Sequence, residues 1–523
     1  MVNKSMFKTN TQTKLVKNEA GGNAFSLSDE NALCQMVVTN CFNGVYYSSA
    51  EELLNNVKNI LKGCSSQLVA KAAVYGHEQG RMKDMPAYLL AVLAARGETK
   101  LVNRIFNRVI TNAKMLCNFV QIIRSGETGR KSFGSSIKKL IQNWLNNRTP
   151  DRLFDDAVGH AKPSLADVIK MVHPKPSTPA HEAMFAYLIG KDYNWEVMPE
   201  RVRQYEIFKK TSEGSVPQVD FRLLSNLKLS DLQWREVALN MRWDTLRRNL
   251  NTIGRNNVLT DDKTVKLLAR KLGDGETVRK VKAFPYELLT TYLNATDLPQ
   301  TLKNSLHDAL EASVDNIPDF GIKTVVCVDT SGSMSSPITG SRGTATSKAT
   351  CVQVASVIAA SILRKNSEHT LVLPFDTSVH SIQIDGRDTI MTNSQKLARN
   401  GGGTDCSCAL RHLNHTDHKA DLVIYVSDNM SWADYASNRG GCWWAGGYNN
   451  ITGTKAEWQS YKKRNPNAKL VLIDLQPYTT TQVSDSKDVL NIGGWNDAQF
   501  TAIERFVNGE KLDFTKIIKE TTI

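Results

Sequence analysis

The chain of 523 residues is 41% hydrophobic and 22% charged, the balance of a globular protein long enough for two or more domains. No apolar stretch approaches the roughly 18–20 residues of a membrane span, the opening MVNKSMFKTN lacks a signal-peptide core, and nine scattered cysteines suit reduced thiols, so a cytoplasmic protein is expected and no membrane partner. The net charge of +13 is uneven: residues 1–320 carry 44 Lys and Arg against 33 Asp and Glu, and residues 321–523 carry 21 against 19.

Residues 1–27, polar and lysine-containing, read as an N-terminal arm that could fold back onto a later domain. From residue 28 the periodicity is helical. AEELLNNVKNIL (Ala50–Leu61) is amphipathic, and PAYLLAVLAA (Pro86–Ala95) opens on a helix-starting proline and is apolar nearly all round. Further helical runs over 104–123, 137–145, 166–172, 181–189, 232–250 and 264–272 predict stacked helical hairpins spanning 28–318. Within them residues 101–150 hold nine basic side chains (Arg104, Arg108, Lys114, Arg124, Arg130, Lys131, Lys138, Lys139, Arg148) and one acid, Glu127. So one-sided a charge suits a polyanion, nucleic acid first. Trp144, Trp234 and Trp243 could stack on bases but fit a core better.

Residues 319–523 alternate strand and helix. Strands are expected at 324–328, 369–375, 421–427 and 468–475, with helices at 347–363, 454–463 and 497–507: a parallel, doubly wound sheet. The first strand runs into Asp329, Ser331 and Ser333, at the sheet end where such folds bind ligands. Gly401–Asp405 adds a glycine loop presenting Thr404, and the strand DLVIYVSD ends in Asp428. One carboxylate and two hydroxyls on a tight loop are hard oxygen ligands, suited to one divalent cation, Mg²⁺ or Mn²⁺ rather than zinc. Cys406-Ser-Cys408 lacks companion zinc ligands and reads as structural. GSRGTATSK (340–348) fails phosphate-loop spacing, and GGCWWAGG (440–447) is either a partner contact or a packed loop.

This half resembles the von Willebrand factor A-type domain with its metal-ion-dependent adhesion site. That resemblance implies Ser331, Ser333 and Thr404 as direct ligands, with Asp329 and Asp428 acting directly or through water, and an open position for an acidic protein ligand. The chain as a whole resembles the Ro ribonucleoprotein family, the Ro autoantigens with their TROVE domain, and their bacterial members. FGSSIKKLIQNW (133–144), ADVIKMVHPKPS (166–177), MRWDTLRRNL (241–250) and FPYELLTTY (284–292) carry the likeness, in order. It implies an α plus α/β fold: a ring of helical (HEAT-like) repeats closed by the von Willebrand-type domain. It further implies small noncoding Y RNAs on the outer face, single-stranded 3′ ends of misfolded RNA in the central hole, and polynucleotide phosphorylase tethered through RNA. His173 matches the position the family uses for Y RNA, although a histidine closing a helix before Pro174 is the plainer alternative. Lys138, Lys139, Arg124, Arg130, Lys131, Lys170 and Arg248 complete the candidate RNA-binding set; Arg248 fits an ion pair inside the repeats equally well. DDAVGHAKPS, just before His173, is more acidic than the family's basic run.

Two other readings compete. A metal-dependent protein-binding adhesion module would make RNA binding incidental, and a nuclease would need the base and paired acidic ligands that the metal motif lacks. The expectation is therefore a monomeric RNA-binding scaffold, not an enzyme.

Overall fold

The computed structural model describes residues 15–159, 162–295, 297–343, 347–399, 401–433, 451–496 and 498–523. The glycine–tryptophan loop at 440–447 lies outside them, as do Asp497 and part of DDAVGHAKPS. The chain divides into two compact units, Met1–Cys64 with Val314–Glu520, and Ser65–Ser313 with Thr521–Ile523.

The first unit starts with a hairpin, β1 (Leu15–Lys17) and β2 (Asn23–Ser26), followed by α1 (Asp29–Met36) and α2 (Ala50–Lys62). Sequence periodicity assigns α1 and α2 to the helical series beginning at residue 28, but the series begins instead at Ser65. The reason is burial. Leu33, Cys34 and Met36 of α1 are fully covered, and Gln35 donates its Nε2–H to the Asn491 carbonyl across the α/β unit (2.8 Å).

The second unit is helical. It runs through α3 (Ser66–Glu78), α4 (Asp84–Ala95), α5 (Thr99–Val109), α6 (Ala113–Ser125) and α7 (Gly134–Asn146). Next come α8 (Pro150–Asp156), α9 (Leu165–Val172), α10 (Pro179–Ile189) and α11 (Glu200–Thr211). Shorter helices follow: α12 (Phe221–Leu224), α13 (Asp231–Asn240), α14 (Trp243–Arg248) and α15 (Leu250–Arg255). The series ends with α16 (Asp262–Leu272), α17 (Gly275–Lys280), α18 (Pro285–Asn294) and α19 (Gln300–Ser313).

Each helix packs on near neighbours in the chain, as stacked hairpins must: α3 on α4 and α5, α7 on α5 and α9, α16 on α19. α4 is buried on most sides, in line with its apolar sequence, and α5 buries the single stripe Val102, Ile105, Phe106 and Val109. The tryptophans are core residues that also stitch repeats together. Trp144 Nε1–H donates to the Ile110 carbonyl (2.7 Å) and Trp243 Nε1–H to that of Leu272 (3.0 Å). Distant parts of the series also meet. Arg81, before α4, pairs with Glu287 of α18 (3.5 Å), whose backbone carbonyl accepts from buried Arg247 (2.8 Å).

The chain then returns to the first unit with β3 (Thr324–Asp329), α20 (Cys351–Lys365), β4 (Thr370–Phe375), α21 (Ile390–Leu397), α22 (Ser407–His415) and β5 (Leu422–Ser427). α23 (Gly453–Arg464), β6 (Lys469–Asp474), β7 (Thr480–Thr481), β8 (Val489–Gly493), α24 (Ala498–Val507) and α25 (Phe514–Lys519) complete it. The main sheet is parallel throughout, in the order β4-β3-β5-β6-β8. Val325 and Cys327 pack with Leu410, Leu413, Trp458 and Tyr461; Val326 and Val328 alternate to the opposite face, and α20 also packs on β3. The sequence reading misses β8, because VLNIG is short and carries a polar residue mid-strand. It also misses β7, which adds to the β1–β2 hairpin and holds the N-terminal segment on this unit. The last three residues, expected with the α/β domain, belong to the helical unit, where Arg108 donates to the Thr522 carbonyl (2.5 Å). No described helix is long and apolar enough to cross a membrane.

Arg247 is 6% exposed and bonds the Glu287 carbonyl, Thr291 Oγ1 and Asp244. Arg247→Leu should cost the helical unit about 3 kcal/mol, the scale for removing one partner of a buried charge network, measured as a lowered urea midpoint. Arg247→Lys should recover little, because a point charge cannot reproduce the planar fork.

Candidate metal centre and basic helical face

β3 and β5 are neighbours, so the residues that follow them converge at one end of the sheet. Asp329 closes β3, and its Oδ1 accepts the Ser331 backbone N–H (2.9 Å) while its Oδ2 accepts the Ser427 hydroxyl (2.5 Å). Ser331 Oγ and Ser333 Oγ lie 3.3 Å apart on the following turn. The glycine loop is zipped against that turn: Gly332 N–H donates to the Gly402 carbonyl (3.0 Å), and Gly401 N–H to that of Thr330 (2.6 Å). The Thr404 carbonyl accepts from the backbone N–H groups of Trp432 (3.1 Å) and Ala433 (3.0 Å), which fastens it to the segment after β5. Asp428 heads that segment, and its Oδ1 accepts the Met430 N–H (3.2 Å). All five residues marked by the sequence, Asp329, Ser331, Ser333, Thr404 and Asp428, are at most 4% exposed.

Burial raises the Asp329 carboxyl above its ordinary range, and the nearby Asp428 charge raises it further. Burial raises Asp428 too, opposed by the Ser333 hydroxyl and the Met430 N–H. Among the described residues, the partners of both acids are hydroxyl and backbone N–H groups, not ammonium or guanidinium groups. Among the described residues, Asp428 Oδ2 is buried without a hydrogen-bond partner. An orphaned anionic oxygen beside two hydroxyls and a second carboxylate fits a hard divalent cation. The geometry divides the acids' roles: both oxygens of Asp329 are engaged within the protein, whereas Asp428 has one to offer.

Sequence reasoning missed Asp376, just past β4. Its Oδ2 accepts the Gly402 N–H (3.2 Å), its carbonyl accepts the Asp405 N–H (2.9 Å), and His380 pairs with its Oδ1 (3.0 Å). A lone Asp at a strand end was the available signal. Cys406 and Cys408 are buried in the core, and among the described residues no three His, Cys, Asp or Glu gather as a metal cluster.

In the helical unit, α6, α7 and α9 bring several candidate RNA-binding residues together. Arg124 Nη1–H reaches Met171 Sδ on α9 (3.4 Å). Gln142 of α7 donates to the carbonyls of Val172 (2.7 Å) and His173 (3.2 Å), and Asn146 donates to that of Lys175 (3.0 Å). Lys138 lies one turn before Gln142 on the same helical face. His173 caps α9 in the left-handed conformation (φ 49°) with its side chain exposed, as are Lys139, Lys170, Arg124 and Lys131. Arg130 behaves differently. It donates to the carbonyls of Ala94 (2.9 Å), Ser132 (2.6 Å) and Phe133 (2.5 Å), so it clamps the α6–α7 loop. Arg148 is likewise engaged, 3.1 Å from Asp156 and 3.9 Å over the Trp144 ring. Arg248 pairs with Asp244 (3.2 Å) on α14. With Lys114 it depresses the Lys83 ammonium, whose burial is the larger cause. Lys114 and Arg124 are ten residues apart on α6, about 15 Å, so this second basic group is separate from the α7–α9 face.

Comparison with known proteins agrees with both units. The family description Ro60 vWA domain matches residues 323–439. A Deinococcus radiodurans protein named RNA-binding protein RO60 is 23% identical over 543 aligned residues, covering 95% of this chain and 96% of its own. The chain is similar to Ro proteins over nearly its whole length. A Caenorhabditis elegans protein of the same name is 21% identical, over 95% of this chain and 90% of its own. In fold, the chain is similar to the crystal structure of the Deinococcus radiodurans RO (RSR) protein, with a TM-score of 0.61, 18% identity and coverage of 92% and 100% of the two chains. The architecture is thus helical repeats joined to a von Willebrand-type α/β unit, as the sequence implied.

The raised acids tie stability to pH. A carboxyl raised in the folded state binds more protons there than in the unfolded chain, so its contribution is fully present in acid and lost as pH rises past its folded value. In chelator at pH 8, Asp428→Asn should therefore melt at a higher temperature than wild type, with the difference shrinking towards pH 4. Equal midpoints across that range would show that the two acids do not repel.

Proposed function

We propose that this protein is an RNA-binding scaffold rather than an enzyme. The observation carrying this reading is that relatives named RNA-binding proteins match it across 95% of its length, spanning both units. The α6–α7–α9 face supports it, because Arg124, Lys138, Lys139, Lys170 and His173 sit on contacting elements with side chains at the surface. Phosphate contacts there would dominate affinity and make it salt-dependent. Small noncoding Y RNAs are the proposed occupants of this face. Single-stranded 3′ ends of misfolded RNA are assigned to the second basic group of Lys83, Lys114 and Arg248. Selection and delivery then belong to this protein, and degradation to an exoribonuclease such as polynucleotide phosphorylase, tethered through the RNA.

The α/β unit is proposed to hold one divalent cation, Mg²⁺, on Ser331, Ser333, Thr404 and Asp428, with Asp329 orienting the loop or acting through water. A cation so held would present positive charge to a carboxylate on a partner protein. A monomer in the cytoplasm is the proposed state, consistent with the buried thiols Cys327, Cys351, Cys406 and Cys408.

Reversing Lys138 and Lys139 to Glu should weaken binding of a structured small RNA by about tenfold or more near physiological salt. It should also flatten the slope of log affinity against log salt by roughly one to two units. Unchanged affinity would remove this face from the proposal. Ser331→Ala with Ser333→Ala should abolish Mn²⁺ binding in a calorimetric titration and leave RNA affinity within about twofold, since the two sites use different residues.

A further inference from the structure

The loop that carries Asp428 is held by a segment lying some four hundred residues earlier in the chain. Asn18, in the turn between β1 and β2, donates its Nδ2–H to the Ser431 carbonyl (2.8 Å), a buried bond joining positions 413 apart. The same side chain accepts the Gly22 N–H on its Oδ1 (2.8 Å), so one amide both shapes the turn and fastens it. Approach is close enough to demand glycine: a Cβ at Gly22 would lie 1.8 Å from the Ser431 carbonyl oxygen and 2.8 Å from Trp432 Cα. Ser431 connects onward to the rest of the centre, because its hydroxyl accepts the Cys406 N–H (3.0 Å) and donates to the Thr404 carbonyl (3.4 Å).

We infer that the Asn18–Gly22 turn is a positioning element of the candidate metal centre, setting the separation between Asp428 and Thr404 by fixing Ser431 between them. The inference rests on the proposed cation site. It assigns a role in that site to residues outside the matched von Willebrand-type region of 323–439. Neither Asn18 nor Gly22 touches the ion; both act through the backbone of the loop after β5. Undocking the hairpin would loosen Asp428 and Thr404 together, which makes metal affinity conditional on the N-terminal segment.

The test is Mn²⁺ affinity of the full chain by calorimetry, paired with the melting midpoint of each protein in chelator. Asn18→Asp keeps the acceptor for Gly22 and removes only the donor to Ser431. It also adds negative charge near a cation, so any weakening runs against simple electrostatics. Asn18→Asp should lower Mn²⁺ affinity by roughly three- to tenfold, the scale of one buried hydrogen bond, with a chelator midpoint close to wild type; Gly22→Ala, whose added Cβ has no room beside Ser431, should lower both the affinity and the midpoint. Lys17→Ala, on the exposed side of the hairpin, should change nothing. If Gly22→Ala does not fold, Asn18→Asp decides alone. Wild-type affinity in Asn18→Asp would overturn the inference and leave the cation site standing, as would an affinity loss in that same variant accompanied by a chelator midpoint lowered to match. Absence of Mn²⁺ binding in wild type would instead overturn the cation reading, and this inference with it.

Discussion

Two carboxylates buried side by side at the ends of neighbouring strands are the constraint around which the α/β unit is arranged. Ionised acids in a low-dielectric interior are costly unless each oxygen finds a donor. Asp329 meets that requirement through Ser331 and Ser427, whereas Asp428 meets it by half, one of its oxygens having no donor among the described residues. The loops around them are bonded mainly to one another: the serine turn to the glycine loop, the glycine loop to Asp376, and the segment after β5 to Thr404. A displacement of any one loop is therefore felt by all the groups facing the acids. The parallel sheet makes this arrangement possible by delivering β3 and β5 to the same end in register.

In the helical unit the division is between arginines and lysines. Arg130, Arg148 and Arg247 direct their planar forks inward, to carbonyls, an acid or a tryptophan face, and so hold loops and repeats in place. Lys114, Lys131 and Lys139 remain at the surface. That division follows from chemistry, since a guanidinium can satisfy several carbonyls at once and is weakly hydrated, while an ammonium prefers water. The charge density counted over residues 101–150 therefore overstates what a polyanion can reach, and the lysines with Arg124 form the greater part of the accessible share.

Much of this was legible in the residues themselves. β3, β4, β5 and β6 are runs of branched apolar residues, and their buried positions follow directly. Asp329, Ser331, Ser333, Thr404 and Asp428 were recognisable because each follows or closes an element whose end is easy to place. What stayed hidden depends on contacts distant in the chain. Periodicity reports that α1 is a helix but not that Gln35 meets Asn491. Composition reports that Arg130 is basic but not that three carbonyls surround it. Asn18 and Gly22 read as an ordinary turn in a polar arm, and only the nearness of Ser431 gives them another meaning.

The sheet that buries α1 also sets a schedule for synthesis. Gln35 must wait for Asn491, 456 residues later, before its amide finds a partner. At typical elongation of about 5–20 residues per second, that delay is roughly 20–90 s. Throughout it, Leu33 and Met36, fully covered in the finished molecule, have only the neighbouring α2 to pack against, while β8 and α25 are still to come. The nascent chain thus carries a sticky amphipathic helix outside the ribosome while its whole helical-repeat unit is being made, a window in which holding chaperones would find their natural substrate.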